Sequence, residues 1–233
     1  MPPTDCLHCL TVDFAHAPDP VRAAFDFPAE EIRDLLCHAG RHGVPLLVLT
    51  TRTALTLVST SQNHVRAFRP LLARLRERTL GTDGWRGLPV RLASGSDAGR
   101  QLLCQALPAT RFEPEIRDFV RSLRLAAELS GTCGAYSAEL GALVRMTEHA
   151  AERVWEETRL GRPGSSEAEI ELESLAAERI VEEELVAWQS SYPALRSSRR
   201  PISDADIGPF DGEERHSMVR IRSASVLTRL RSA

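Results

Sequence analysis

The chain has 233 residues, of which 42% are hydrophobic and 26% are charged, and its formal net charge is -3. This composition excludes wholesale disorder and allows one large domain, or a domain of roughly 150 residues with an appendage. No apolar run approaches the roughly 20 residues of a membrane span, and Met1 to Asp5 lacks the order of a signal peptide, so we expect a cytoplasmic protein with no membrane partner.

The first third of the chain alternates between strand and helix patterns. Strand candidates are rich in Leu, Val and Thr, whereas helix candidates carry apolar residues at helical spacing. In chain order they are a strand at Leu7–Phe14, a helix at Pro28–Ala39, a hairpin of strands at Val44–Leu49 and Ala54–Ser59, a helix at Gln62–Arg78 and a strand at Leu88–Leu92. The order βαββαβ predicts an α+β fold of the ferredoxin-like kind, an antiparallel sheet with two helices on one face.

From Asp97 onward the apolar period is helical. One apolar stripe runs from Ile116 to Ala127 and a second from Leu140 to Trp155. The break between them contains Gly131 and Gly134, which favour a turn. The pattern therefore predicts two packed helices as an extension of the N-terminal unit.

A third long helix is indicated by its start signal. Ser166 and Glu169 have the spacing of a capping box, and the apolar contacts continue to about Trp188. Beyond Pro193 the chain is loop-like. The last segment, Glu213–Ala233, has a small apolar face, so we expect it to dock on another surface, such as its copy in a second subunit.

Arginines crowd the middle of the chain, whereas residues 167–184 are strongly acidic. Arginines at this density are able to hold RNA phosphates. The alternative is that they lie on solvated helix faces and pair with nearby carboxylates. The candidates for RNA contact are Arg66, Arg69, Arg117, Arg121 and Arg124.

Five cysteines, an odd number, fit reduced thiols better than a disulfide framework. Cys6 and Cys9 flank Leu7-His8, but no second Cys/His pair lies at a suitable spacing, and neighbouring strand residues point to opposite faces, so a structural role is favoured over a metal. Cys104 is a possible nucleophile only if exposed. Its apolar surroundings, like those of Cys133, favour burial instead.

Several segments, read in order, resemble the glutamyl-tRNA reductase family, whose members reduce the glutamate ester on tRNA to an aldehyde. The opening VDFAHAPDPVRAAFDFPAEEIRDLL resembles the family's first strand, turn and helix. FEPEIRDFVRSLRLAAELSGTCG is similar to its Gly-Glu-Pro-Gln helix and Gly-Thr-x-Gly turn, and RVWEETRLGRPGSS to the segment closing its catalytic domain. AAERIVEEELVAWQSSYPALRSSRRPI looks like the start of its dimerisation domain. The resemblance implies a reductase-like domain at residues 1–162, a dimerisation-like region at 163–233 and a homodimer.

Two parts on which the family's reaction depends have no match. The family's NADPH-binding domain would stand between these regions, but no G-x-G-x-x-G turn follows a strand, so no resident cofactor is expected. The family's nucleophilic cysteine lies in a Ser-Thr-Cys-Asn-Arg turn between two strands, where this chain reads LTTRTALTL. Arg52 takes the cysteine's place or, with a two-residue gap, that of the family's arginine. Either alignment leaves the hairpin without a nucleophile.

The resemblance implies no catalytic residue and no metal. The family's Ser-Gly-Leu-Asp-Ser loop shrinks to CQALPAT here, so a glutamyl-binding pocket of the usual kind is not expected. Gln101 replaces the family's histidine, and Arg52 either holds a carboxylate or phosphate or is merely exposed. His16 fits a site residue and a structural hydrogen-bonder equally. The substrate-binding candidates are His16, Thr50, Thr51, Arg52, Gln101 and Glu113.

Three functions follow as hypotheses. The first is a catalytically inactive relative that binds glutamyl-tRNA and regulates tetrapyrrole synthesis or diverts aminoacyl-tRNA to specialised metabolism. The second is an enzyme on glutamyl-tRNA, either a reductase completed by a partner chain or an aminoacyl transferase or hydrolase. The third is a dimeric scaffold that binds a full-length reductase or another biosynthetic enzyme without RNA.

Overall fold

Seven helices and four strands make up the described part of the computed structural model, which comprises residues 7–61, 64–79, 88–106, 116–158 and 166–191. The strands are β1 (His8–Asp13), β2 (Leu47–Thr50), β3 (Ala54–Ser59) and β4 (Val90–Ser94). The helices are α1 (Asp19–Ala24), α2 (Ala29–Arg41), α3 (His64–Thr79), α4 (Ser96–Leu103), α5 (Ile116–Thr132), α6 (Ala138–Glu157) and α7 (Glu167–Ser191).

The four strands form one sheet in the order β2-β3-β1-β4, and every neighbouring pair is antiparallel. β1 therefore pairs on both sides: Thr11 lies opposite Thr56 of β3 and opposite Arg91 of β4. The mixed α+β class predicted from the sequence is confirmed. The ferredoxin-like topology stays a prediction.

Both faces of the sheet are covered, and a separate apolar cluster lies on each. Leu10, Val12 and Leu57 pack on one side with residues of α2 and α3. Cys9 and Leu49 pack on the other side with α4, α5, α6 and α7. Strands that are buried on both faces lose the apolar-polar alternation of a half-exposed sheet. Helices α2 and α3 alone would leave one face of the sheet exposed. The helical extension covers that second face.

Local signals explain where the later helices begin. The Ser137 hydroxyl accepts the Leu140 N–H at 3.2 Å and caps α6. Ser166 and Glu169 bond reciprocally, with the Ser166 N–H donating to Glu169 Oε2 at 2.7 Å and the Glu169 N–H donating to Ser166 Oγ at 3.3 Å. The capping box read from the sequence therefore starts α7.

Helix α7 shares the core of α4 and α6. Ala177, Ile180, Leu185 and Trp188 are buried there together with the α6 side chains. The helix begins just beyond the predicted domain boundary at residue 162, and that division stays a prediction. Within the described residues no helix combines the length and hydropathy needed to cross a bilayer.

Most element limits differ from the sequence prediction by one or two residues, and three further differences concern β2, α1 and α5. β2 starts at Leu47 rather than Val44, the short helix α1 follows β1 without having been predicted, and α5 continues through Gly131 to Thr132. The chain turns at Gly134, where φ is +69°. Glu113, the loop beyond Pro193 and Glu213–Ala233 lie outside the described residues.

Candidate functional site

The hairpin between β2 and β3 is held together by Thr51. Its hydroxyl donates to the Ala54 carbonyl at 3.1 Å and accepts the Ala54 N–H at 3.0 Å, while the Thr51 N–H donates to the same carbonyl at 2.9 Å. Thr51 is thus a turn residue, bonded within the hairpin. The neighbouring Thr50 hydroxyl is buried and has no hydrogen-bond partner within the described segments.

Arg52 stands at the tip of this hairpin with an exposed side chain. It makes no hydrogen bond or ion pair with the described part of the chain. With respect to the described residues, all the guanidinium N–H donors of Arg52 are available to a ligand or to water.

His16 lies at the same end of the sheet, in the turn that follows β1. Asp13 pairs with Ala54, and the Phe14 N–H donates to the Thr53 carbonyl at 2.8 Å. The structure therefore brings the turn of His16 beside the hairpin. The His16 side chain is exposed.

A polar cluster lies two residues further into the sheet, where Thr11 of β1 pairs with Thr56 of β3. Thr11 and Thr56 are buried opposite one another, with 3.3 Å between their hydroxyl oxygens. Gln105 spans both, because its Nε2 donates to Thr11 Oγ1 at 2.9 Å and to Thr56 Oγ1 at 2.6 Å. The Thr56 hydroxyl donates to Gln105 Oε1 at 2.8 Å. We call Thr11, Thr56, Gln101 and Gln105 the glutamine cluster.

Gln101 completes the cluster from α4. Its Nε2 donates to Thr11 Oγ1 at 2.7 Å and to the Arg91 carbonyl at 3.2 Å. Both glutamines are half-buried, whereas the two threonines are closed off from solvent. Hydroxyls and carboxamides do not titrate near neutral pH, so the cluster is able to orient a ligand but not to act as a general acid or base.

The Cys9 thiol contacts this cluster, with its sulfur 3.9 Å from Thr11 Oγ1. Burial raises the pKa of Cys9 to about 12, and the contacts with Thr11 and Gln101 offset only part of that increase. A thiol with so high a pKa supplies almost no thiolate at neutral pH. Cys9 therefore lacks the activation that a nucleophile needs.

Neighbouring strand residues diverge as expected. His8 points away from Cys9 and stacks on His64 of α3, with 3.6 Å between the ring centroids. His8 Nδ1 lies 2.9 Å from Ser94 Oγ. Burial, followed by the charge of His64, lowers the pKa of His8 to about 3. The described residues contain no group of three or more His, Cys, Asp or Glu side chains placed to hold a metal.

The candidate RNA-contact arginines lie on two separate helices. Arg66 and Arg69 belong to α3, which covers one face of the sheet, and the other three belong to α5, which covers the opposite face. Arg69 and Arg121 are exposed. Arg124 is paired with Glu148 at 2.9 Å and with Glu152 at 3.2 Å.

The structure thus gathers His16, Thr50, Thr51 and Arg52 at one end of the sheet and places Gln101 on the adjoining face. Sequence reasoning missed Thr11, Thr56 and Gln105. Two signals were present. The glutamines are four residues apart, on one side of a helical turn, and each threonine stands between two apolar residues of its strand.

The fold defined by these elements is a four-stranded antiparallel sheet covered by helices on both faces. Among solved structures, glutamyl-tRNA reductase from Methanopyrus kandleri is similar in fold over 66% of this chain, with 18% sequence identity and a TM-score of 0.47. The chain spans 35% of the length of that reductase. No family model matches the sequence, and no curated protein matches it.

Proposed function

We propose that this chain is a catalytically inactive relative of the glutamyl-tRNA reductases that binds glutamyl-tRNA, and regulates tetrapyrrole synthesis or diverts the charged tRNA to another pathway. One observation carries the proposal. The hairpin that corresponds to the family's nucleophilic turn reads Thr50-Thr51-Arg52-Thr53, and Arg52 stands exposed at its tip. A guanidinium that has no partner among the described residues is suited to a carboxylate or a phosphate, not to attack on an ester.

The glutamine cluster supports the same proposal. Gln101 stands where the family resemblance places a histidine, and it is bonded to Thr11 and to the Arg91 carbonyl. A carboxamide is able to hold a bound aminoacyl group but does not exchange protons with it. Binding is therefore the function that these residue types favour.

The surface for tRNA is proposed to centre on Arg121. It is exposed on α5 and unpaired within the described segments, whereas its neighbour Arg124 already faces two carboxylates. A phosphate would have to displace Glu148 and Glu152 before it reached Arg124. Arg121 should accordingly contribute more to tRNA affinity than Arg124 does.

The test is a filter-binding titration of the full chain with glutamyl-tRNA at two salt concentrations. We expect saturable binding at low salt and weaker binding at high salt, because phosphate contacts release counterions. Arg121→Ala should weaken binding more than Arg124→Ala, which is the matched control. Absence of saturable binding at low salt would reject the tRNA proposal.

Catalysis is tested separately in the same preparation. Glutamyl-tRNA is incubated with the protein in the presence and in the absence of NADPH, and the aldehyde and the released glutamate are quantified. We expect neither product above the protein-free rate. Formation of either one would favour the enzyme hypothesis and reject the inactive one, whatever the tRNA affinity.

A second candidate function, a dimeric scaffold, is favoured by the outer face of α7. Leu172, Leu175 and Val186 are exposed there, at 67%, 46% and 57% of their surface. Exposed apolar side chains along one helix are typical of a protein contact. Sedimentation equilibrium of the wild type should show a dimer that Leu172→Glu with Val186→Glu dissociates, whereas Leu125→Glu on α5 should leave it intact. A monomeric wild type would remove this candidate.

We also propose a ferredoxin-like topology for the unit from β1 to β4. The support is the order β1, α2, β2, β3, α3, β4 combined with the sheet order β2-β3-β1-β4.

A further inference from the structure

Leu46, the residue before β2, is bonded to the last turn of α5 and to the turn that follows that helix. The Leu46 N–H donates to the Ala135 carbonyl at 2.8 Å, and the Ser130 hydroxyl donates to the Leu46 carbonyl at 2.7 Å. β2 is an edge strand of the sheet, and these bonds of Leu46 are made at the point where that edge begins. The segment from Ser130 to Ala135 is therefore the place where the two helical layers meet around the edge of the sheet. We call it the edge turn.

Helix α2 approaches this turn more closely than a side chain would allow. A Cβ added at Gly40 would lie 2.3 Å from the Cys133 carbonyl oxygen and 2.8 Å from the Gly134 carbonyl carbon. Contacts this short do not occur, so glycine at residue 40 is what lets the α2 backbone touch the edge turn.

The close approach brings two cysteines together. Cys133 Sγ lies 3.5 Å from the Arg33 carbonyl of α2, one helical turn before Cys37. Cys133 contacts α2 at Arg33 and at Gly40, and Cys37 lies between these two residues on the same face of the helix, so the Cys37 side chain faces Cys133. In keeping with this placement, burial raises the pKa of Cys133, and so do the hydrogen bond and the charge of Cys37. Both cysteines are half-buried and both are thiols. An oxidant in solution is therefore able to reach the pair.

We propose that Cys37 and Cys133 form a redox-active dithiol site that exchanges with low-molecular-weight disulfides. The Cys37 thiolate attacks one sulfur of the oxidant, forms a mixed disulfide and releases one thiolate of the oxidant. The Cys133 thiolate then attacks the Cys37 sulfur, forms the protein disulfide and releases the second thiolate. The two protein thiols together lose two electrons and two protons, and one oxidant disulfide is reduced to two thiols.

Cys133 has the second role because its thiol donates a hydrogen bond to the Arg33 carbonyl at 3.5 Å, which holds the proton on its sulfur, and burial acts in the same direction by raising its pKa. The other described thiols are placed differently. Cys9 is fully buried inside the sheet layer, and Cys104 lies in the turn after α4, away from α2. Only the pair at the edge turn combines contact with access among the described cysteines.

The disulfide would tie α2 to the edge turn at the end of α5, where Cys133 packs against the same apolar cluster as α2. α2 belongs to the cluster on one face, whereas α5 belongs mainly to the cluster on the other. Cross-linking residues this far apart in sequence restricts the unfolded chain strongly. Oxidation should therefore raise the thermal midpoint of the protein and protect the edge turn from opening.

The experiment uses the full reduced chain, incubated with oxidised glutathione, quenched with iodoacetamide and digested for peptide mass mapping. We expect a cross-linked peptide containing Cys37 and Cys133, loss of two reactive thiols per chain and an upward shift of the thermal midpoint by several degrees. Reduction with dithiothreitol should reverse all three. Five unchanged thiols, or a dominant disulfide through another cysteine, would overturn the proposal.

Single variants separate the two roles. Cys133→Ala should retain glutathione on Cys37 as a stable mixed disulfide, whereas Cys104→Ala, the matched control, should oxidise and stabilise like the wild type. Failure of Cys133→Ala to retain glutathione would overturn the assigned order of attack. The wild-type peptide map tests whether the Cys37–Cys133 disulfide forms, even if a variant folds poorly. This test does not depend on tRNA binding.

Discussion

The glutamine cluster satisfies its polar atoms from within a layer that is otherwise apolar. Thr11 and Thr56 project from the middle of two strands, and the carboxamides of Gln101 and Gln105 reach down from α4 and the turn after it. Burying a hydroxyl without a partner is costly, and here each threonine has one. The cluster therefore depends on all of its members.

Thr56→Val tests that dependence, because valine keeps the shape and removes the hydroxyl. Gln105 would lose a donor at 2.8 Å and an acceptor at 2.6 Å. We expect the free energy of unfolding in urea to fall by about 1–3 kcal/mol. Thr132→Val is the control, since Thr132 is exposed, and should change stability by about 0.5 kcal/mol or less. Equal effects would mean that the cluster contributes no stability.

His8 makes stability depend on pH. Its pKa is about 3 in the folded protein and 6.5 when unperturbed, so the unfolded chain binds the extra proton between these values. The associated stability is fully present above pH 6.5 and is lost as pH falls toward 3. Between pH 7 and pH 5 we expect a loss of about 1–2 kcal/mol, after allowance for solvent screening.

The measurement for His8 is urea unfolding at pH 7 and pH 5 for the wild type, His8→Gln and His16→Gln. The His8→Gln variant should lose less stability on acidification than the wild type. His16 is exposed, so His16→Gln should follow the wild type. If His8→Gln lost as much stability as the wild type between pH 7 and pH 5, the pH dependence would come from other groups.

The sequence alone could predict the chemistry of some site positions, whereas the grouping of other residues into a site could not be predicted from it. The hairpin Thr50–Thr53 has no cysteine whatever the fold, so that conclusion needed no coordinates. The glutamine cluster required the register, because Thr11 meets Thr56 only when β1 and β3 pair as they do. A slip of either strand by one residue would have turned its threonine to the other face and separated the two hydroxyls.

At the scale of elements, periodicity located most helices and strands, and tertiary contacts decided their ends. Val44 to Leu46 reads as a strand but precedes β2 instead. Pro45 has no N–H for a ladder, and its carbonyl accepts the Ser59 hydroxyl at 2.6 Å. The N–H groups on either side bond to Ala39 and Ala135. The bond to Ala39 is local, but no local pattern indicates a partner as distant in the chain as Ala135.

The contact of α2 with the edge turn predicts a difference between two glycines. Gly40→Ala would force a Cβ against the Cys133 carbonyl, 2.3 Å away, whereas Gly131→Ala would meet nothing within 4 Å. We expect Gly40→Ala to lower the free energy of unfolding by about 1–3 kcal/mol. Gly131→Ala lies in the last turn of α5 and should be neutral or stabilising by up to about 1 kcal/mol. Urea titration of both variants checks the contrast, and equal midpoints would contradict it.

At the scale of the whole molecule, the sheet separates two apolar clusters that the sequence does not distinguish. The apolar stripes show that each later helix buries one of its faces. They do not show which other element that face packs against. The N-terminal pattern predicted one helical layer, and α4 to α7 supply the other. Sequence patterns could predict the class, whereas the second layer emerged only from packing between segments remote in the chain.

Packing of α7 into the cluster with α4 and α6 implies that the described chain unfolds as one cooperative unit. Leu185 is only 2% exposed, so Leu185→Ala should lower the free energy of unfolding by about 2–5 kcal/mol. Leu125 is 56% exposed on α5, and Leu125→Ala should change stability by about 0.5 kcal/mol or less. The decisive measurement is whether the urea-unfolding curves from two spectroscopic probes coincide. Circular dichroism and tryptophan fluorescence should shift together in Leu185→Ala, because Trp188 lies in the same cluster as the α6 side chains. If fluorescence moved to lower urea while circular dichroism kept the wild-type midpoint, α7 would be a separate folding unit.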